Sequence, residues 1–138
     1  MAPRLEESLV PGIRRFLLRH RDLEAAVATN AEPANVAFIL DRSGLRRHFR
    51  AVVDGAMVSR PKPFPDIFLA AAAALGADPA RTIVFEDSHA GVEAARAAGM
   101  RTVGLRTTHA ELPGVDLAID DFRSPELEPW LATQLSLV

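Results

Sequence analysis

Short apolar runs alternate along this chain with alanine-rich stretches of helical period, and glycine or proline marks most of the joins. Apolar runs bounded by turn residues read as buried strands, and their alternation with helices reads as βα units feeding a parallel sheet. Pro11 and Gly12 open a helix over Ile13–Arg19, and Leu23–Ala28 follows as a strand ending at Thr29-Asn30. A helix from Glu32 to Ser43 stops at Gly44. Ala51–Val53 is a second strand, ending at Asp54-Gly55. The proline-rich Pro61-Lys62-Pro63-Phe64-Pro65 leads into a helix over Asp66–Leu75 that Gly76 ends. Thr82–Phe85 is the third strand and runs into Glu86-Asp87-Ser88, after which a helix over Ala90–Ala98 closes at Gly99. Thr102–Leu105 and Leu117–Ile119 supply two more strands. A terminal helix over Pro125–Leu135, capped by Ser124, carries Trp130 on its apolar face. The fold class is therefore α/β, in a single domain over residues 1–138.

Composition narrows the picture. With 138 residues, 49% hydrophobic and 25% charged, the chain makes one ordinary domain that buries about two-thirds of its unfolded surface. It has no cysteine, so disulfides and thiolate metal sites are out, and the composition suits a reducing compartment. The longest apolar stretch, Ile67 to Leu75, is far short of the roughly 20 residues that span a bilayer. Met1 to Val10 carries Arg4, Glu6 and Glu7 where a signal peptide needs an apolar centre. A soluble, cytoplasmic protein without a membrane partner is expected.

A formal net charge of −2 gives no general field for nucleic acid. The clusters Arg14, Arg15, Arg19, His20, Arg21 and Arg42, Arg46, Arg47, His48, Arg50 read as solvated helix faces and ends, where cations suit the C-terminal dipole. Lys62 is the one lysine among sixteen basic residues, a compact and flexible ammonium in a chain that otherwise uses arginine.

In an open parallel sheet, ligands collect outside the carboxyl ends of the strands. Thr29 and Asn30 follow the first strand and precede a helix, so a hydroxyl and free backbone N–H groups face a place for an anion. Taken alone they are a helix cap. Lys62 stands between two prolines near the same sheet edge, and taken alone is a surface lysine. Glu86-Asp87 places two carboxylates side by side at a strand end, an arrangement that needs a cation or hydrogen bonds to offset repulsion. Mg²⁺ suits it, with Asp87 a direct ligand and Glu86 direct or through water. Capping by Asp87 or Ser88 is the plainer alternative.

Hydrophobic-Thr-Asn, then Lys-Pro-x-Pro-Asp-Ile-Phe, then Val-Phe-Glu-Asp-Ser-x-Ala-Gly-x-x-Ala-Ala-x-x-Ala-Gly-Met, in that order, resembles the haloacid dehalogenase superfamily, especially its β-phosphoglucomutase-like phosphatases and mutases. The resemblance runs from about Pro11 to Trp130 and is most specific from Lys62 to Gly99. It implies a Rossmann-like three-layer parallel sheet and an activity on phosphorylated small molecules with Mg²⁺. It further implies that Thr29 and Asn30 bind the phosphoryl group, that Lys62 offsets charge on nucleophile and phosphoryl oxygens, and that Glu86 and Asp87 hold the ion. Ser88, Ala90 and Gly91 then let the next helix start close to the site, while Gly91, Ala94, Ala95, Ala98 and Gly99 serve close packing. Thr107-Thr108-His109 resembles a loop of the same subgroup without an evident role, and His89 and His109 read as exposed loop residues.

One family element does not occur in these 138 residues, the Asp-x-Asp-Gly-Thr motif that carries the nucleophile and the general acid and base. Without it there is no covalent catalysis through an aspartyl-phosphate, and positioning and charge stabilisation remain. Asp54-Gly55 is a faint substitute but sits on the wrong strand, and reads as a turn. The cap is also absent, Met1 to Val10 resembling at most the end of its last helix. The sheet should lack its first central strand, between the strands ending at Thr29 and Phe85, leaving two apolar edges. These either close on each other or accept another chain, as a homodimer or as a complementing amino-terminal segment. The chain alone is then expected to turn over little. A non-catalytic module that binds phosphate and Mg²⁺ is the alternative. A receiver-like α/β module is a weaker one, because its acceptor would be Asp54, too near Lys62.

Overall fold

The βα alternation holds through residues 10–30 and 32–135, which the computed structural model describes. In chain order the elements are α1 (Ile13–Arg19), β1 (Ala26–Ala28), α2 (Pro33–Ser43), β2 (Ala51–Val53), α3 (Asp66–Leu75), β3 (Ile83–Glu86), α4 (His89–Ala97), β4 (Arg101–Leu105), β5 (Leu117–Ile119) and α5 (Leu127–Leu135). The expected segment Met1 to Val10 lies almost wholly outside the described residues.

Glycine ends α2 and α3 as the sequence suggests, Gly44 and Gly76 both adopting the left-handed conformation that side chains resist. Several boundaries differ from expectation, most by a single residue. β1 starts at Ala26, because Leu23 donates its N–H to the His20 carbonyl in a turn and stays half exposed. β3 takes in Glu86, which pairs with Gly104. α4 starts at His89, with the Ser88 hydroxyl accepting from the Gly91 N–H as its cap. α5 starts at Leu127 rather than Pro125, and Leu127 N–H bonds the main-chain carbonyl of Ser124.

All strand pairings are parallel, but they form two sheets among the described residues: β1 with β2, and β3–β4–β5 with β4 central. β1 and β3 do not pair with each other, so the two apolar edges have not closed up.

Helices lie on both faces, which gives three layers. On one face Ile67, Phe68, Ala71 and Ala72 of α3 join Ala94 and Ala95 of α4, over Val53 and Val84, with Ala26 and Ala28 packed alongside. Small residues at Ala71, Ala72, Ala94 and Ala95 let these helices sit close to the strands. On the other face Val36 and Leu40 of α2 pack with Ile13, Leu17, Val27 and Val52. Leu127 and Leu131 of α5 pack there over Val103, Leu105 and Ile119. α1 belongs to both clusters of this face. Its Ile13 and Leu17 meet the first sheet, while Phe16 meets Phe85 at 5.2 Å and Phe122 at 4.9 Å, in the preferred range for aromatic pairs. α1 thus spans the two sheets on one face, as the α3 and α4 cluster does on the other.

Candidate active site

Alternation along β3 decides where its acidic end points. Val84 and Glu86 are buried on the face covered by α3 and α4, whereas Ile83 and Phe85 turn to the opposite cluster. Glu86 is therefore a carboxylate carried under the start of α4, and it is 8% exposed. Burial of a charge on that scale requires partners.

It has four. Lys62 Nζ donates to Oε2 at 2.7 Å, and Oε1 accepts from Asp87 N at 3.1 Å, Ser88 N at 3.2 Å and Ser88 Oγ at 3.1 Å. Gly91 makes room for this carboxylate, since a β-carbon there would lie 2.0 Å from Glu86 Cδ. The glycine expected to serve helix packing thus also serves the acidic residue beneath the helix.

Lys62 is as deeply set as its partner, with a side-chain exposure of 9% for each. Its stem passes the Phe68 ring, with Nζ 5.0 Å from the centroid, and Nζ also donates to the Ala28 carbonyl at 3.4 Å. The Lys62–Pro63 peptide is cis. One ammonium therefore joins the carboxyl end of β1 to that of β3, across the place where the two strands do not pair.

Thr29 and Asn30 follow Ala28 at that same end of β1. Thr29 N–H bonds the Val53 carbonyl at 3.0 Å, and the Asn30 carbonyl abuts Gly55, where a β-carbon would come within 2.9 Å. Asp54, directly after β2, is buried and caps the 3₁₀ turn Gly55–Met57 by accepting from Ala56 N at 2.9 Å. The turn reading of Asp54-Gly55 fits this geometry.

Asp87 faces elsewhere. Its Oδ2 accepts from Thr107 Oγ1 at 3.3 Å and its carbonyl from Thr108 Oγ1 at 3.4 Å. His89 stacks on His109 with centroids 4.4 Å apart, and its Nε2 lies 3.0 Å from the Glu111 carbonyl oxygen. The loop after β4 is thereby fastened to the β3–α4 turn. Sequence reasoning gave Thr107 and Thr108 no role, although they follow a strand end as Thr29 does.

Among the described residues no three His, Asp or Glu side chains converge on a common point. Mg²⁺ needs only one or two protein carboxylates when phosphate oxygens and waters complete its octahedron, so the oxygen donor of Asp87 suits it. Glu86 suits it less, because both its oxygens already accept from N–H or O–H donors.

The fold thus carries a lysine and two adjacent carboxylates at the carboxyl edge of parallel strands, where open α/β sheets bind their ligands. The chain belongs to the haloacid dehalogenase-like hydrolase family, whose model matches residues 3–99. It is 37% identical over 113 residues to the β-phosphoglucomutase of Bacillus subtilis, covering 82% of this chain and 50% of that protein. It is 46% identical over 81 residues to the fructose-1-phosphate phosphatase YqaB of Escherichia coli, covering 59% and 43%. Among solved structures, CbbY from Rhodobacter sphaeroides in complex with xylulose-(1,5)bisphosphate superposes with a TM-score of 0.76 at 32% identity, over 88% of this chain and 59% of that one. The chain spans about half the length of the curated relatives it matches. No described helix is long and apolar enough to cross a membrane.

Proposed function

We propose that this chain forms the carboxyl-terminal part of the core of a Mg²⁺-dependent phosphatase or phosphomutase acting on phosphorylated small molecules. The observation that carries the reading is Lys62, whose ammonium reaches both Glu86 Oε2 at 2.7 Å and the Ala28 carbonyl at 3.4 Å. In this reading Lys62 offsets charge on the transferring phosphoryl group, with Thr29 and Asn30 taking its oxygens at the end of β1. Glu86-Asp87 forms the cation end of the site. A bound Mg²⁺ would supply charge neutralisation of the phosphoryl oxygens.

Turnover then depends on a segment bearing a carboxylate nucleophile, because these 138 residues contain no Asp-x-Asp-Gly-Thr motif. The unpaired sides of β1 and β3, covered by α1 on one face and the α3 and α4 cluster on the other, favour a parallel strand as the form of that segment. The test is hydrolysis of p-nitrophenyl phosphate with Mg²⁺, by this chain alone and with a peptide of apolar strand plus Asp-x-Asp-Gly-Thr supplied in trans or fused ahead of Met1. Activity should appear on completion and vanish with Asp87→Ala. Confirmed binding of the segment without any gain in hydrolysis would defeat the enzyme reading.

The same unpaired edges favour a second reading, a non-catalytic phosphate and Mg²⁺ binding module that self-associates. A concentration-dependent dimer in analytical ultracentrifugation, dissolved when the complementing segment is added, would separate the two.

A further inference from the structure

A cavity of about 290 Å³ opens between α1 and the loop leading into α5, with Arg15, Phe16 and Arg19 on one side and Phe122, Arg123 and Glu128 on the other. It is separate from the candidate active site. Its Phe16 ring packs on Phe85, which turns to the opposite face of β3 from Glu86.

The walls carry three guanidinium groups and one carboxylate. That carboxylate is engaged by His20, whose Nε2 lies 3.0 Å from both oxygens of Glu128. The contact from Arg19 Nε, at 3.4 Å, is therefore secondary and leaves the two terminal nitrogens of Arg19 without a partner among the described residues. Arg123 is held by Asp121, which accepts from its Nε at 3.1 Å and its Nη2 at 2.8 Å. Gly12 gives the Arg123 stem its passage past the start of α1, since a β-carbon there would lie 2.8 Å from Arg123 Cγ. Arg15 makes no hydrogen bond or ion pair among the described residues. Even with Asp121 counted, three guanidinium groups meet two carboxylates, and like charges gathered round one cavity repel until an anion enters.

Size and lining narrow the ligand. The planar donor fork of arginine suits phosphoryl oxygens. A cavity at the lower end of small-molecule pockets has room for a phosphoryl group and a few carbons but not for a nucleotide. The rings of Phe16 and Phe122, 4.9 Å apart, supply an apolar surface for those carbons.

We infer that this cavity is a second binding site, for a small phosphorylated molecule whose oxyanion is held by Arg15, Arg19 and Arg123. Its walls belong to different halves of the molecule. α1 packs on the first sheet through Ile13 and Leu17, and α5 packs on the second through Leu127 and Leu131. A ligand gripped from both sides ties the halves together on this face, and its binding stabilises the fold.

The test uses inorganic phosphate as the probe, titrated into the full chain at constant ionic strength while the arginine Nε–Hε signals are followed by ¹⁵N NMR. The signals of Arg15, Arg19 and Arg123 should move along one saturating curve, and that of exposed Arg47 should stay still. The Tm should rise along the same curve. Arg15→Gln, a substitution at an exposed position, should weaken binding at the cavity by about fivefold or more, and Arg15→Lys by less. Arg47→Gln should leave it unchanged. Acetate, with one charge and two oxygens for three guanidinium groups, should bind more weakly than phosphate. Phosphate shifts confined to signals around Thr29 and Lys62, with Arg15 unmoved, would place the anion at the candidate active site alone and overturn the inference. Equal losses in Arg15→Gln and Arg47→Gln would overturn it too, because they would mark a general field, and acetate binding as tight as phosphate would overturn the phosphoryl class.

Discussion

The two sheets bury themselves to different depths. In the three-stranded sheet, β4 has a partner on each side and four of its five residues are buried, Val103 completely. In the two-stranded sheet no residue of β1 is fully buried, and β2 contributes only Val53. Both sheets are parallel and both carry helices on their two faces, so the difference comes from neighbours. The two-stranded sheet has no strand paired on both sides, so neither of its strands is shielded as β4 is. The chemistry stands where the two meet, with Lys62 reaching from the end of the shallow sheet to the buried acid of the deep one.

The contrast can be broken or sharpened by substitution. The largest effect should come from Glu86→Ala, which strands the Lys62 ammonium and removes the ion pair that bridges the sheets; a loss of about 3–5 kcal/mol in urea unfolding is expected. A loss under about 1 kcal/mol would mean the pair behaves as a surface ion pair and the halves hold together without it. Next comes a matched pair of truncations. Ile119→Ala in the deep sheet, at 0% exposure, should cost about 4 kcal/mol, and Val27→Ala in β1 about 1 kcal/mol. Equal costs would show that β1 is as well packed in solution as β5.

Thr102→Val should act in the other direction. Thr102 Oγ1 is fully buried and has no hydrogen-bond partner, so a methyl group in its place should raise stability by about 1 kcal/mol. The smallest effect is an acid-limb difference. The guanidinium of Arg123, hydrogen-bonded to Asp121, holds that carboxyl below its usual range, and Arg60 does the same for Asp66 in the other half. Because each folded pKa lies below the unfolded one, the stabilisation is complete above the unfolded value of about 3.9 and is lost as pH falls through the folded value. Plots of Tm against pH should flatten slightly below about pH 4 in Asp121→Asn and Asp66→Asn, with no change near neutrality.

Much of this was readable in the residues. The order of elements, the three layers, the glycine stops and the meeting of Lys62 with the Glu86-Asp87 turn all follow from local pattern and family resemblance. Strand limits were less legible, since Leu23 is as apolar as a strand residue yet belongs to the turn closed by the His20 carbonyl. Apolar character marks what packs, and backbone pairing decides what is strand. The residues suggested that Glu86 and Asp87 differ, but not the buried partners of Glu86 or the Thr107 contact of Asp87. They depend on which face of β3 each occupies and on Gly91 and Thr107, residues five and twenty-one positions beyond Glu86, which no nearest-neighbour pattern connects.

The division into two sheets also bears on how the chain comes to fold. The β1–β2 ladder is complete by Val53, and the β3–β4–β5 ladders draw only on Ile83 to Ile119. Neither needs a strand from the other half, so the loops that must close are those of single crossovers. During synthesis the first half can set its register while the second is still emerging. The Lys62–Glu86 contact, by contrast, needs both ladders in place, because its two members sit on opposite sides of the division.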